Sequence, residues 1–162
     1  MTARTRGIIV ALLHLLLVVS LGGKLLVDRA TLPRVWASVA PFDPDLPIRG
    51  RYVSLQVEVT PLGFEEPSDE LDWVWAKLAV ENDRLTAKPA AVRTYHYVTI
   101  RKGADGLEGT LGTPIAFFIP ENVEDPSRLP GLMVELTVPR KGPPRPIRLG
   151  VAKEDGIEPL SF

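Results

Sequence analysis

Pro41-Phe-Asp-Pro-Asp-Leu-Pro-Ile-Arg-Gly-Arg-Tyr-Val-Ser-Leu-Gln-Val-Glu-Val59 decides how this 162-residue chain is read. Three prolines within Pro41–Pro47, with Asp43 and Asp45 suited to Asx-type turns, break the chain before Gly50. Arg51–Thr60 then alternates strictly, Val53, Leu55, Val57 and Val59 against Tyr52, Ser54, Gln56 and Glu58. A period of two places the first set on a core face and the second on a solvent or groove face of a β-strand.

Working outward, the same signal recurs. Asp72–Val80 alternates Trp73, Trp75, Lys77 and Ala79 against Val74, Ala76, Leu78 and Val80, and Glu81–Arg84 reads as a hairpin turn. Strands are expected at Thr31–Ala40, Leu85–Ala90, Arg93–Arg101, Leu107–Leu111 and Ile115–Ile119, with one helical turn over Pro120–Asp125. Leu132–Val138 and Ile147–Ala152 are expected to form a last hairpin around a proline-rich loop, which reads as a rigid connection rather than a polyproline ligand. All sixteen prolines lie at or beyond Pro33, which opposes long helices there. The pattern predicts an all-β fold, a single small barrel or sandwich of short antiparallel strands.

Ahead of it, Gly7–Gly23 is interrupted only by His14 and Ser20, and Lys24-Leu-Leu-Val27 lengthens the run. About 20 apolar residues span a bilayer, so residues 7–27 suffice if Lys24 snorkels. The run exceeds a usual signal-peptide core and ends without a small-x-small cleavage site, so it reads as one uncleaved transmembrane helix. This divides the chain into an anchor, residues 1–29, and a β domain, residues 30–162. Lys and Arg on the two sides are nearly balanced. The short cationic N-terminus with Arg4 and Arg6 favours a cytoplasmic tip, with the domain outside the cytoplasm. His14, near the middle of the helix, is a candidate in-membrane contact, with Gly7 and Ala11 as a small-xxx-small pair. A neutral imidazole tolerated among apolar neighbours is the stronger reading.

Four of the 19 Lys and Arg and one of the 20 Asp and Glu precede residue 30, leaving 15 against 19 in the β domain, interspersed. No basic stripe points to nucleic acid. With no cysteine there is no disulfide framework, thiolate metal site or Cys nucleophile. Two histidines, far apart, do not make a metal site, no Gly-rich phosphate loop is present, and no cofactor is expected.

Pro41-x-Asp43-Pro44, Arg49-Gly50-x-Tyr52-x-x-Leu55 and Phe117-Phe118-Ile119-Pro120-Glu121 resemble the GDYXXLXY family of bacterial membrane-anchored proteins, whose function is uncharacterised. The likeness runs over most of the chain, more loosely around Leu132–Val151. It departs at Arg51, which reverses the charge of the signature Asp, and at Val57, which replaces an aromatic. A carboxylate role at position 51 is thereby put in doubt. The resemblance and the anchor together imply a non-catalytic accessory or binding subunit of a polytopic membrane protein.

Asp43, Arg49, Gly50, Arg51, Tyr52 and Glu121 form the suspected interaction surface. The plainer reading of the cluster is that its turn-flanking charges lock the loop. The alternative function is a membrane-tethered Ser/Lys peptidase with Ser38 in Ser38-Val-Ala-Pro41 as nucleophile and Lys77 or Lys88 as base, a faint echo because no lysine lies in a recognisable motif. His96, within Tyr95-His-Tyr97, reads as an ordinary strand histidine.

Overall fold

The computed structural model describes residues 2–42, 52–67, 71–104 and 106–162. The chain divides into two units, Met1–Leu32 and Pro33–Phe162.

The first unit is one helix, α1 (Ala3–Thr31), whose N-terminus is capped by the Thr2 side chain accepting from the Thr5 amide. Its length and apolar composition fit a membrane span over Arg4–Thr31. At 1.5 Å per residue the helix outruns the ~30 Å hydrocarbon core, so its ends reach the headgroups. There Lys24 and Asp28 form an i,i+4 ion pair at 3.4 Å. The chain is therefore anchored as a single-pass membrane protein.

The helix continues further than the sequence predicts, into the expected first strand. Thr31 Oγ1 donates to the Val27 carbonyl, and Pro33 then bars another turn. The expected polytopic membrane partner is corrected. Among the described residues a single helix is long and apolar enough to cross a membrane, which accounts for single-pass anchoring and supplies no basis for a polytopic protein. Its one polar ring is also served from within, since His14 Nδ1 donates to the Val10 carbonyl at 2.8 Å.

The second unit is all-β. Its strands are β1 (Arg34–Pro41), β2 (Tyr52–Pro61), β3 (Leu71–Glu81), β4 (Arg84–Pro89), β5 (His96–Gly103), β6 (Gly106–Leu111), β7 (Ile115–Phe118), β8 (Leu132–Thr137), β9 (Arg145–Lys153) and β10 (Gly156–Pro159). They hydrogen-bond in the order β10-β9-β8-β1-β2-β4-β3-β5-β6, and β7 also lies on β2. Because β2 pairs β6 as well, strands β2, β4, β3, β5 and β6 close on themselves. The result is a barrel with a sandwiching sheet, antiparallel except where β2 and β4 run parallel at Thr60↔Thr86.

β2 joins the two parts because it is long. Residues 52–57 pair with β7 and β1, and residues 58–61 with β6 and β4. Its inward set, Val53, Leu55, Val57 and Val59, is buried along the whole length, as the alternation predicts. Val35, Ala37 and Val39 of β1, Val98 and Ile100 of β5, Leu132, Val134 and Leu136 of β8, and Leu149 of β9 join it in one core, to which β3, β4, β6 and β7 also contribute. Each Val or Leu so buried contributes about 1.5–3 kcal/mol.

Local chemistry moved several boundaries. The hairpin β3–β4 turns on Asn82 and Asp83, both at positive φ (50° and 57°), the primed geometry that short side-chain amides and carboxylates tolerate. Thr94 Oγ1 donates to the Ala76 or His96 carbonyl, bending the chain so that β5 starts at His96 rather than Arg93. The expected helical turn at Pro120–Asp125 lies instead at Pro126–Arg128, as a 3-10 turn, because the Asp125 carboxylate accepts from the Ser127 amide at 2.8 Å. β10 is an extra strand, turned back on β9 through Gly156 at φ 136° and tied by a Lys153–Glu158 ion pair.

Candidate functional site

Tyr52 opens β2 on the outward face, directly opposite Phe118 of β7. Their rings meet edge to face with centroids 6.1 Å apart, yet they remain 42% and 76% exposed. Between this pair and the exposed Phe42 lie small neighbours. Ser54 faces Ala116 across the β2–β7 pairing, and the Ser54 carbonyl accepts from the Phe42 amide at 3.0 Å. The floor beneath is the core itself, through Val53, Leu55 and Ile115. The patch is an aromatic edge on a rigid base, which suits contact with another surface.

Of the suspected interaction surface, Tyr52 and Glu121 are among the described residues. The β2–β7 pairing brings Tyr52 beside Phe118, three residues before Glu121, which is exposed. Asp43, Arg49, Gly50 and Arg51 lie outside the described residues. Phe118 is a member of this edge that sequence reasoning did not single out. Its alternation with Phe117 is visible, but its register opposite Tyr52 is not.

A second aromatic array was missed altogether. Trp73 and Trp75 of β3 and Tyr97 of β5 are mutually edge to face, at centroid distances of 6.3, 6.4 and 5.9 Å. The Arg93 guanidinium lies 5.2 Å from the Trp75 ring centroid. Tyr97 is pinned by its hydroxyl, which donates to the Gly112 carbonyl at 2.7 Å, and its ring fills the space where a side chain at Gly112 would stand. The signal was the shared parity of Trp73 and Trp75, but only the Trp75↔Tyr97 register shows that the rings meet.

Among the described residues one acidic side chain is buried, Glu135 of β8, and its role is structural. Arg148 Nε donates to its Oε2 at 2.6 Å, Arg34 stands 3.9 Å from Oε1, and the Arg148 guanidinium covers Trp36 at 5.4 Å. His96 is half-buried. Burial holds its imidazole below the ordinary histidine range, partly offset by a hydrogen bond to the Gly142 backbone.

The peptidase arrangement gains no support. Ser38 is exposed on β1 opposite Met133. Lys77 and Lys88 face each other across β3–β4, both in water, and Lys88 Nζ donates to Glu81 at 2.7 Å. A lysine base needs desolvation, which neither has. Among the described residues no group of three or more His, Asp or Glu side chains is placed to hold a metal ion.

No family model, curated protein or solved structure matches this chain. The functional reading therefore rests on its own geometry: two exposed aromatic surfaces on one anchored β domain.

Proposed function

We propose that this chain is a membrane-anchored binding protein, holding its β domain on the periplasmic side of a bacterial inner membrane and capturing an extended segment of a water-soluble protein. The observation that carries this reading is the Tyr52–Phe118 pair, two large rings left exposed over a rigid core. Tyr is among the residues that dominate interface energetics when desolvated. β7 adds a reason for the extended form. It is four residues long and, among the described residues, pairs with β2 alone, so its other edge is suited to strand addition.

The GDYXXLXY resemblance supports the same reading. Tyr52 begins the outward face of β2, while Leu55 and Val57 of the signature are core residues that fix the strand beneath it. Asp43, Arg49, Gly50, Arg51 and Glu121 belong to the proposed surface by their nearness in sequence to Tyr52 and Phe118.

The test is crosslinking from native membranes with C-terminally tagged wild type, Tyr52→Ala and Phe118→Ala proteins. Loss of one dominant crosslinked protein in both variants, with their thermal unfolding unchanged, is the expected result. An unchanged set of crosslinks in folded variants would refute it.

A further inference from the structure

The Trp73–Trp75–Tyr97 array is not part of the Tyr52–Phe118 edge, and its surroundings point to a different occupant. Chain connectivity and hydrogen bonds locate it. Only Leu32 and Pro33 separate α1 from β1, a reach of about 7 Å at full extension. Pro33 is fixed within the β domain, its carbonyl accepting from the Val138 amide at 3.0 Å. Val138 opens the β8–β9 loop, and in that loop the Gly142 backbone hydrogen-bonds His96. His96 adjoins Tyr95, and the Trp75 carbonyl accepts from the Ala90 amide at 2.8 Å. The residue where the anchor joins the domain is thus linked, through one loop, to the aromatic array.

The composition around that junction is one-sided. Segments 88–97 and 138–147 hold Lys88, Arg93, Arg140, Lys141 and Arg145, and no Asp or Glu. Lys88 is paired with Glu81, whereas Arg93, Arg140 and Lys141 are all solvent-exposed. Val92 and Tyr95, on either side of Arg93 in the chain, are 70% and 67% exposed, and Trp73, edge to face with the Trp75 ring that Arg93 covers, is 63% exposed. Trp and Tyr are enriched at the level of lipid headgroups, where an apolar ring with one polar atom meets both phases. Arg and Lys are drawn to anionic headgroups within a Debye length.

We infer that Trp73, Val92, Arg93, Tyr95, Arg140 and Lys141 form a second membrane contact, seating the β domain on the headgroup layer of an anionic bilayer. The occupant is the lipid surface itself, because the membrane helix ends only two residues before β1 and the exposed charge is of the sign that anionic headgroups attract.

The experiment uses the full chain reconstituted into phosphatidylglycerol–phosphatidylcholine vesicles. Trp36→Phe leaves Trp73 and Trp75 as the reporters, and brominated acyl chains are the quencher. The control carries Trp36→Phe, Trp73→Phe, Trp75→Phe and Phe118→Trp, reporting from the β2–β7 edge. Quenching at Trp73 and Trp75 at least ~2-fold stronger than at position 118, and weakened in Arg93→Gln/Arg140→Gln/Lys141→Gln, is expected. Equal quenching at both positions would overturn the inference. So would quenching of the reporters that grows with protein-to-lipid ratio, since that reports contact between copies of the chain. Because the chain has no cysteine, a nitroxide on Tyr95→Cys gives an independent depth reading should a Trp variant misfold. A label fully accessible to water-soluble relaxants would likewise overturn it.

Discussion

Arg148→Ala tests whether the Glu135 cluster ties β9 to β8. The Glu135 side chain is 8% exposed and takes its closest hydrogen bond, 2.6 Å, from Arg148 Nε. A hydrogen bond to a charged group contributes about 1.5–3 kcal/mol, and the cation over Trp36 adds about 0.5–1 kcal/mol. Two facts hold the total to the lower part of that range. Arg148 is itself half in water, and Arg34 remains 3.9 Å from the other carboxylate oxygen. The expected loss is about 2–3 kcal/mol, or roughly 8–12 °C in Tm for a domain of this size.

The assay is thermal unfolding of the full chain in detergent, followed by far-UV circular dichroism and by Trp emission. A companion variant separates charge from packing. In Glu135→Leu/Arg148→Leu the carboxylate leaves with its partner, so the double variant should be more stable than Arg148→Ala. A loss below about 0.5 kcal/mol for Arg148→Ala would place the pair among ordinary surface ion pairs and refute the reasoning. A double variant less stable than Arg148→Ala would show that Arg34 satisfies the Glu135 carboxylate by itself, so that no charge is left stranded.

Two further outcomes follow from the barrel. Since burial lowers the His96 pKa, the folded protein binds fewer protons than the unfolded chain, so stability is complete above about pH 6.5 and is lost as pH falls toward the folded value. Tm measured from pH 7.5 to 5 should fall, and His96→Asn should flatten that part of the profile; an unchanged slope would point to other groups. Gly112→Ala puts a Cβ where the Tyr97 ring lies, so it should cost about 1–3 kcal/mol and shift Trp emission as the array loosens. A wild-type melting curve and spectrum for that variant would show that Tyr97 is not held as described.

Much of the architecture was legible because its signal is local. A period of two over Arg51–Thr60 assigns each residue to a face wherever the strand ends up, and Val53 to Val59 are buried accordingly. The anchor was legible for a similar reason, since a long apolar run requires no partner to be recognised. Turn chemistry at Asn82-Asp83 was visible too, because positive φ is a property of the residue. Boundaries failed where a side chain reached across to another element or capped its own turn. Thr94 bonding to Ala76 delayed β5, and Asp125 moved the short helix past Pro126.

The sites divide the same way. Tyr52 stood out as an aromatic at the head of an alternating strand, but its partner Phe118 lies 66 residues away and is supplied by register alone. Trp75 and Tyr97 read as unremarkable strand residues until pairing set their rings side by side, with Arg93 brought over Trp75. The anchor, the strand class and the inward face of each clear strand follow from residue spacing along one segment, so no distant contact is needed to read them. Which strands β2 joins, the closure of the barrel by β2 and β6, and which outward aromatics meet all depend on contacts between distant segments. Register is set by long-range packing, and a slip of one residue would have turned every one of those rings to the other face.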